Sequence, residues 1–408
     1  MLYSNQMDKI EELLTRGVDK IYPSKQELEK ILKSGKKLRL YQGFDPTGTR
    51  LHIGHMVGFR KLRQWQELGH HVIFLIGDGT GQAGDPSGKT KARDKFMTQE
   101  ELRKNAKDYI LQARKIVNFE GDNPIEILYN GDWLNELKLL DILDIAGNFS
   151  LQQLSERDLF QERMKKGESV NLREFLYPLL QGYDSVAMNV DLEIGGSDQT
   201  FNMLAGRNLV KAMQNRDKFV MTTPLLTDSN GRKIGKTEGN VIGLTDEPND
   251  LFGKIMGLSD DVIVKAFEYL TSLPIDEIKK LEKRLNTNEE HPMKAKKKLA
   301  GEIVSQLHSP EEAKIARDNF ERTVQDREMP TDIPLFVLKE ATSVAEVLVE
   351  TGLTLSKSDA KRLIEQGGVE IDNERINDPN IPFETLAKND ETIIQVGKRK
   401  FIKVKLEK

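Results

Sequence analysis

The chain contains no cysteine, so disulfides and thiolate metal sites are excluded, and this fits the reducing cytoplasm expected for it. It also lacks any apolar run near the ~18 residues a membrane span needs, so no membrane partner is expected. The opening MLYSNQMDKIEELL carries acidic residues early and no apolar h-region, and it does not read as a secretory signal. A dominant charge of one sign is missing too: 61 Lys and Arg stand against 65 Asp and Glu, a net charge of −4. Any nucleic-acid partner must then be met by local basic patches and not by a global field. Glycine (31) and proline (14) are modest in 408 residues, which excludes collagen-like and disordered classes. What is left is a globular chain, long enough for about two or three domains.

The front half reads as α/β. LRLYQGFD (38–45) and VIFLIGD (72–78) are short, β-rich apolar runs, and the near-continuity of the second suits a strand buried on both faces of a parallel sheet. Between them Met56, Phe59, Leu62, Trp65 and Leu68 recur at spacings of three, one stripe of an amphipathic helix, with Gly69 placed as its C-cap. This is a βαβ unit. Further strands are expected at 125–130 and 189–196, and 131–175 turns helical and charged, like an insertion. After residue 240 helical periodicity dominates, giving a small helical domain over 241–326. REMPTDIP, with Pro330 and Pro334, marks a linker over 327–341, and 342–408 reads as an α+β module.

Three places carry chemistry. In Tyr41-Gln-Gly43-Phe-Asp45-Pro-Thr47…His52-Ile-Gly54-His55, a strand ends and a helix begins, where backbone N–H groups and the helix dipole favour an anion. His52 and His55, at i and i+3, can aim ring donors at one ligand that Gly54 lets approach. A zinc site would need a third ligand, for which only His70, His71, His291 and His308 remain, and no metal site is expected. The second place is Lys233-Ile-Gly-Lys236-Thr237 on a glycine-containing loop, where two lysines suit a transient clamp on a polyphosphate; in isolation it reads as a solvated basic turn. In the third, Tyr177, Gln181 and Asp184 share one helix face among leucines, and Gly195-Gly196-Ser-Asp198-Gln199 follows. A carboxylate on an apolar face is costly to bury unless it binds something polar.

One decoy stands between them. Ala83-Gly-Asp85-Pro-Ser-Gly-Lys89-Thr nearly fits a phosphate loop, yet Ala83 replaces the first glycine and Asp85 puts an anion where phosphates need donors. The charged KARDKFMT that follows lacks the apolar stripe of the expected helix.

HIGH after GFDPT, KIGKT downstream and the Tyr/Gln/Asp helix together resemble the bacterial tyrosyl-tRNA synthetases, class I aminoacyl-tRNA synthetases, over essentially the whole chain. LIGDGTGQAGDPSGK and DLEIGGSDQTFN resemble the subgroup without tryptophan after the Gly-Gly-Ser/Thr-Asp-Gln signature, and LSKSDAKRLIEQGGVEIDNERI resembles an αL-type RNA-binding module. The resemblance implies a Rossmann-like α/β catalytic domain over 1–240, and an enzyme that joins L-tyrosine to tRNA(Tyr) with ATP and Mg²⁺. It implies that Tyr41 and Asp184 meet the substrate phenol, Asp85, Tyr177 and Gln181 the α-ammonium, and Gln199 the carboxylate, with Gly43 also in the tyrosine site. Asp45, Thr47, His52, Gly54, His55, Gly196 and Asp198 would line the ATP site, and Lys89, Arg93, Lys233, Lys236 and Thr237 the polyphosphate. Lys357, Lys361, Arg362, Lys398, Arg399 and Lys400 would contact RNA, and a homodimer is expected. Two departures stand out: Gly58 replaces a larger residue and KIGKT the commoner KMSKS. Tryptophanyl-tRNA synthetase and a non-catalytic RNA-binding relative are the alternatives.

Overall fold

The computed structural model describes residues 2–87, 96–156, 158–234, 241–325, 333–338, 343–387, 391–397 and 400–407. The chain forms two compact units, Met1–Asp246 with Gly257–Ser309, and Glu247–Met256 with Pro310–Lys408.

The first unit is built on a six-stranded sheet of β1 (Lys20–Tyr22), β2 (Arg39–Phe44), β3 (His71–Ile76), β4 (Glu126–Tyr129), β5 (Leu192–Gly196) and β6 (Phe219–Thr223). Their order is β1-β6-β5-β2-β3-β4, with β1 antiparallel to β6 and every other pairing parallel. Val72–Ile76 are all buried, as the unbroken apolar run required. The chain proceeds β2, β3, β4 toward one edge and then crosses to β5 on the other side of β2. That reversal leaves a crevice at the C-terminal ends of β2 and β5, where ligands settle in open α/β sheets.

The connection from β2 to β3 is the helix Ile53–Glu67, whose Met56, Phe59, Leu62 and Trp65 are fully buried. Gly69 follows it at φ 75° and closes the last turn with an N–H to Gln66 O bond of 2.9 Å. Between β4 and the helix Leu172–Ala187, four short helices fill residues 131–165. β1 and β6 were not legible beforehand. The first is a three-residue edge strand, and in the second the threonines of FVMTT break the apolar signal although all five residues are buried.

The second unit holds the helices Pro248–Met256 and Pro310–Phe320 and a sheet of β7 (Leu335–Leu338), β8 (Val369–Ile371), β9 (Glu374–Arg375), β10 (Thr392–Val396) and β11 (Lys400–Leu406). Its order is β7-β11-β10-β8-β9. The helices Val344–Glu350 and Lys357–Glu365 supply Val344, Val347, Leu348, Ala360 and Ile364 to a core shared with Val369, Ile371, Ile394 and Val404 of the sheet.

Two expected boundaries look different in the fold. The stretch 241–326 contributes to both units, because Ile263–Leu270, Ile275–Asn286 and Pro292–Leu307 belong to the first. Within the expected linker, the apolar LFVL of β7 pairs in parallel with β11. Among the described residues, no helix is long and apolar enough to cross a membrane.

Candidate active site

A cavity of about 480 Å³ opens at the crevice between β2 and β5. Tyr41, Gly43, Asp45, Thr47, His52, Gly54, His55, Asp85, Tyr177, Gln181, Asp184, Gly196, Asp198, Gln199 and Lys233 all line it. They come from the end of β2, the helix that follows it, the segment between β3 and β4, the helix Leu172–Ala187, the end of β5 with the turn after it, and the loop after β6. Lys89, Arg93, Lys236 and Thr237 lie outside the described residues.

The β2–helix turn is held from several directions. His52 caps the helix, its Nδ1 accepting from Gly54 N at 3.2 Å, while its own N–H donates to His55 Nδ1 at 3.1 Å. The two imidazoles stand 4.1 Å apart, centroid to centroid. A Cβ on Gly54 would come within 2.9 Å of His52 Cε1, so the glycine makes room for the neighbouring ring. Gln112 clamps the loop by donating to Thr49 O at 2.8 Å and accepting from Leu51 N at 2.9 Å.

Gly58 has a local reason. A Cβ there would meet the Gln42 amide at 2.5 Å, so a larger residue cannot coexist with Gln42 as it lies. Gly77, at the end of β3, is constrained more severely, since a Cβ would fall 1.9 Å from Asp45 Oδ1. Asp45 needs that space to accept from Thr80 Oγ1 at 2.7 Å and from Tyr177 OH at 2.9 Å.

Asp184 sits 1% exposed on the inward face of its helix. Its two oxygens accept from Asn130 Nδ2 at 3.0 Å and from Trp133 Nε1 at 2.8 Å. Burial raises its pKa well above the usual carboxylate range, Asn130 and Trp133 pull it partly back, and the charges of Glu193 and Asp45 add to the rise. Tyr41, 1% exposed, stands with its hydroxyl 2.9 Å from Ser185 Oγ. Burial, then Glu193 and Asp184, push its phenol well up. Along the same helix face, Gln181 Nε2 donates to Glu193 Oε1 at 3.0 Å, and its Oε1 is buried without a partner in the structure.

Asp85 accepts from Gln199 Nε2 at 2.9 Å and from Ser87 N at 2.8 Å. The loop after β6 folds back on itself, with Ile234 N donating to Leu226 O at 2.8 Å, and this delivers Lys233 Nζ to Asp198 Oδ2 at 2.8 Å.

Several contributors escaped the sequence reading. Asn130, 1% exposed, accepts from Gly79 N at 2.7 Å and donates to both Thr80 Oγ1 and Asp184. Asp78 is fully buried and collects Gly131 N, Gln99 and Arg103. Position was the available signal: Asp78 lies two residues past β3 and Asn130 directly follows β4, at the strand ends where such sites form. Glu193 and Lys218 carried none, because each lies in or beside an apolar run.

In the second unit, Lys357 and Lys361 share a helix face, where Lys357 pairs with Glu346 at 2.6 Å and Arg362 with Asp359. Lys400 Nζ donates to Leu353 O at 3.1 Å, drawing the start of β11 to the turn before that helix. Lys398 and Arg399 lie outside the described residues.

Residues 33–325 match the family described as tRNA synthetases class I (W and Y), and 326–404 match the tyrosine–tRNA ligase SYY-like C-terminal domain. The tyrosine–tRNA ligase of Dehalococcoides mccartyi strain CBDB1 is 39% identical over 97% of this chain and 98% of its own length. That of Aquifex aeolicus is 41% identical over 93% of this chain and 94% of its own. Among solved structures, a C-terminally truncated mitochondrial tyrosyl-tRNA synthetase of Aspergillus nidulans superposes with a TM-score of 0.65 at 26% identity, covering 77% of this chain and 93% of that one. The Archaeoglobus fulgidus tyrosyl-tRNA synthetase complexed with L-tyrosine shares the fold at a TM-score of 0.61 and 20% identity, over 76% of this chain and 99% of that one. A relative so similar along nearly its whole length, together with both family matches, places the chain among the tyrosine–tRNA ligases, class I tRNA synthetases.

Proposed function

We propose that this protein activates L-tyrosine with ATP and then transfers the tyrosyl group to the 3′ end of tRNA(Tyr). The observation that carries the reading is the buried Asp184 carboxylate beside the Tyr41 phenol at one cavity wall. Such a pair suits a ligand with a hydroxyl on an aromatic ring, because Asp184 and the Tyr41 oxygen keep acceptor capacity beyond their protein partners that a ring without the hydroxyl would leave unused. Asp85, Tyr177 and the free Gln181 Oε1 offer acceptors and a polar wall for an α-ammonium, with Gln199 near the carboxylate. Asp45, Thr47, His52, Gly54, His55, Gly196 and Asp198 form the nucleotide side. Lys89, Arg93, Lys233, Lys236 and Thr237 are assigned to the polyphosphate.

No side-chain nucleophile is required. An oxygen of the tyrosine carboxylate attacks the α-phosphorus of ATP in line, the new O–P bond forms as the bond to the β-phosphate bridge breaks, and pyrophosphate leaves. The residues around the cavity contribute positioning and charge stabilisation as negative charge grows on the departing phosphates. Magnesium arrives as part of the ATP substrate, held chiefly by phosphate oxygens and water. In the second step a ribose hydroxyl of the tRNA end attacks the carbonyl carbon, and AMP departs.

Two finer readings belong here. Leu139, Leu140 and Leu143, exposed by 71%, 73% and 55% on one helix of the insertion, support a homodimer, since apolar side chains grouped this way mark association surfaces. Lys357, Lys361, Arg362 and the basic residues around 398–400 support the second unit as a contact for the tRNA backbone. Amino-acid-dependent ATP–pyrophosphate exchange across the twenty amino acids tests the core reading. Tyrosine should give strong exchange, and strong exchange with tryptophan instead would overturn it.

A further inference from the structure

Two residues of the proposed tyrosine subsite rest on a buried ion pair. Lys218 is 0% exposed and Glu193 2%, and Lys218 Nζ bonds Glu193 Oε2. The same ammonium donates to Ser185 Oγ at 2.7 Å. Ser185 Oγ in turn lies 3.3 Å from Glu193 Oε2 and 2.9 Å from the Tyr41 hydroxyl. Glu193 Oε1 accepts from Gln181 Nε2 at 3.0 Å. The sheet builds this arrangement: Tyr41 on β2 pairs in register with Glu193 on β5, and Lys218 immediately precedes β6, the other neighbour of β5.

A buried ion pair is weak evidence of added stability, because desolvating both charges offsets most of their attraction. Its distinctive property is direction. A carboxylate only accepts and an ammonium only donates. Facing Glu193, Gln181 can present only its NH₂, which leaves its buried, unpartnered Oε1 as an acceptor. Ser185 receives from Lys218 and gives its single hydrogen to Glu193, so it can only accept from Tyr41. The Tyr41 hydrogen is thereby engaged away from the ligand, and its oxygen remains an acceptor at the cavity wall. With Asp184 beside it, every group in this corner accepts. That polarity matches a ligand that donates at both ends, through a phenol O–H and an ammonium.

We propose that Glu193, held by Lys218, is a positioning residue for tyrosine: it orients the Gln181 amide directly and the Tyr41 hydroxyl through Ser185. The inference rests on the reading of this cavity as the tyrosine subsite.

The test uses the full chain with the variants Glu193→Gln and Ser185→Ala. Pyrophosphate exchange gives KM, kcat and the ratio of kcat/KM for tyrosine over phenylalanine, which reports on the phenol end. Inhibition by tyramine compared with 4-ethylphenol reports on the ammonium end. Glu193→Gln keeps the volume but can donate, so both ends lose their fixed polarity. The tyrosine KM should rise about tenfold or more, as for losing a hydrogen bond to a charged group, with a much smaller change in kcat. Both selectivity ratios should fall. Ser185→Ala leaves the ion pair in place and should lower the tyrosine over phenylalanine ratio while preserving the preference for tyramine. General structural damage would weaken all four ligands alike and leave the ratios unmoved. Unchanged ratios in both variants overturn the inference; if Glu193→Gln does not fold, an unchanged tyrosine over phenylalanine ratio in Ser185→Ala does so alone. A wild-type chain without tyrosine-dependent exchange would overturn the subsite reading and the inference with it.

Discussion

The hydroxyl of Tyr177 donates to Asp45 Oδ2 at 2.9 Å, joining the helix Leu172–Ala187 to the turn that ends β2. One partner belongs to the proposed ammonium side and the other to the nucleotide side, so this bond ties the two subsites together. Burial first, then the charges of Asp45 and Asp85, raises the Tyr177 pKa well above its ordinary value, and the group stays a donor at any working pH. Tyr177→Phe should lower kcat/KM for tyrosine by about tenfold, as expected when a charged acceptor loses one donor, and should raise the ATP KM as well. Steady-state exchange kinetics check both. An unchanged ATP KM would mean that the bond does not couple the subsites.

Asp184→Asn replaces an acceptor-only group with an amide that can turn either way. Tyrosine kcat/KM should fall at least about tenfold, equivalent to roughly 1.4 kcal/mol, and rejection of phenylalanine should weaken. A pH profile adds a second readout. The ionised carboxylate is the stronger acceptor for the phenol, protonation turns one of its oxygens into a competing donor, and burial raises the Asp184 pKa. Wild-type kcat/KM should therefore decline with falling pH while the medium is still above the ordinary carboxylate range. Asp184→Asn should lack that decline.

Much of this site was legible because the chemistry is concentrated in short motifs. Tyr177, Gln181 and Asp184 could be placed on one face from helical spacing alone, and that face lines the cavity. His52 and His55 could be placed at a strand-to-helix turn for the same kind of local reason. The supporting residues were hidden because their partners are remote in sequence. Asn130 reaches Asp184, 54 positions away, and Lys218 reaches Ser185 across 33. Gly77 looked like one glycine in a glycine-rich turn, and only the 1.9 Å approach to Asp45 gives it a specific reason. The division of 241–326 between two units was hidden for a related reason. Helical periodicity shows which face is apolar but not which neighbour covers it.

His70 should set an acid limit on stability. It is 5% exposed, its Nδ1 accepts from Leu38 N at 3.1 Å, and its ring meets the Trp65 ring edge-on at 4.8 Å. Burial, then the charge of Lys37, lowers its pKa to about 4. In the unfolded chain the ring binds a proton below about 6.5, so between these values the unfolded state holds more protons. Stability is complete above that upper value and is lost as pH falls toward the lower one, by at most about 3 kcal/mol. Urea unfolding across this window should show the slope. His70→Asn keeps an acceptor that does not titrate, and should flatten it.

Lys233 is held by Asp198 at 2.8 Å, although the two are assigned to different parts of ATP, phosphates and ribose. Lys233→Ala should lower the single-turnover rate of adenylate formation by about 10²–10³, as for removal of one donor aimed at developing charge, and leave tyrosine affinity nearly unchanged. Lys236→Ala should behave alike. Rapid-quench measurement of adenylate formation checks both. Weakened tyrosine binding at an unchanged rate would reverse the assignment.

Ending the chain near Pro330 should separate the two half-reactions. Every residue assigned to tyrosine and ATP precedes position 240, and those the structure describes line a single cavity within the first unit's residues. The segment removed carries its own buried core, from Leu338 to Val404, and none of the residues that line the cavity. It also carries Lys357, Lys361 and Arg362, and a tail from 396 to 408 with six Lys or Arg against the single Glu407. On a chain of net charge −4, this cluster is the proposed contact for a phosphate backbone. Residues 1–330 should retain tyrosine-dependent pyrophosphate exchange, whereas aminoacylation of tRNA(Tyr) should collapse. Full-length affinity for tRNA should fall steeply as salt rises, since each neutralised phosphate releases counterions. Exchange and aminoacylation assays on both chains, the second repeated at several salt concentrations, decide the matter. A truncated chain that charges tRNA as well as the full one would remove the second unit's proposed role while leaving the cavity's reading in place.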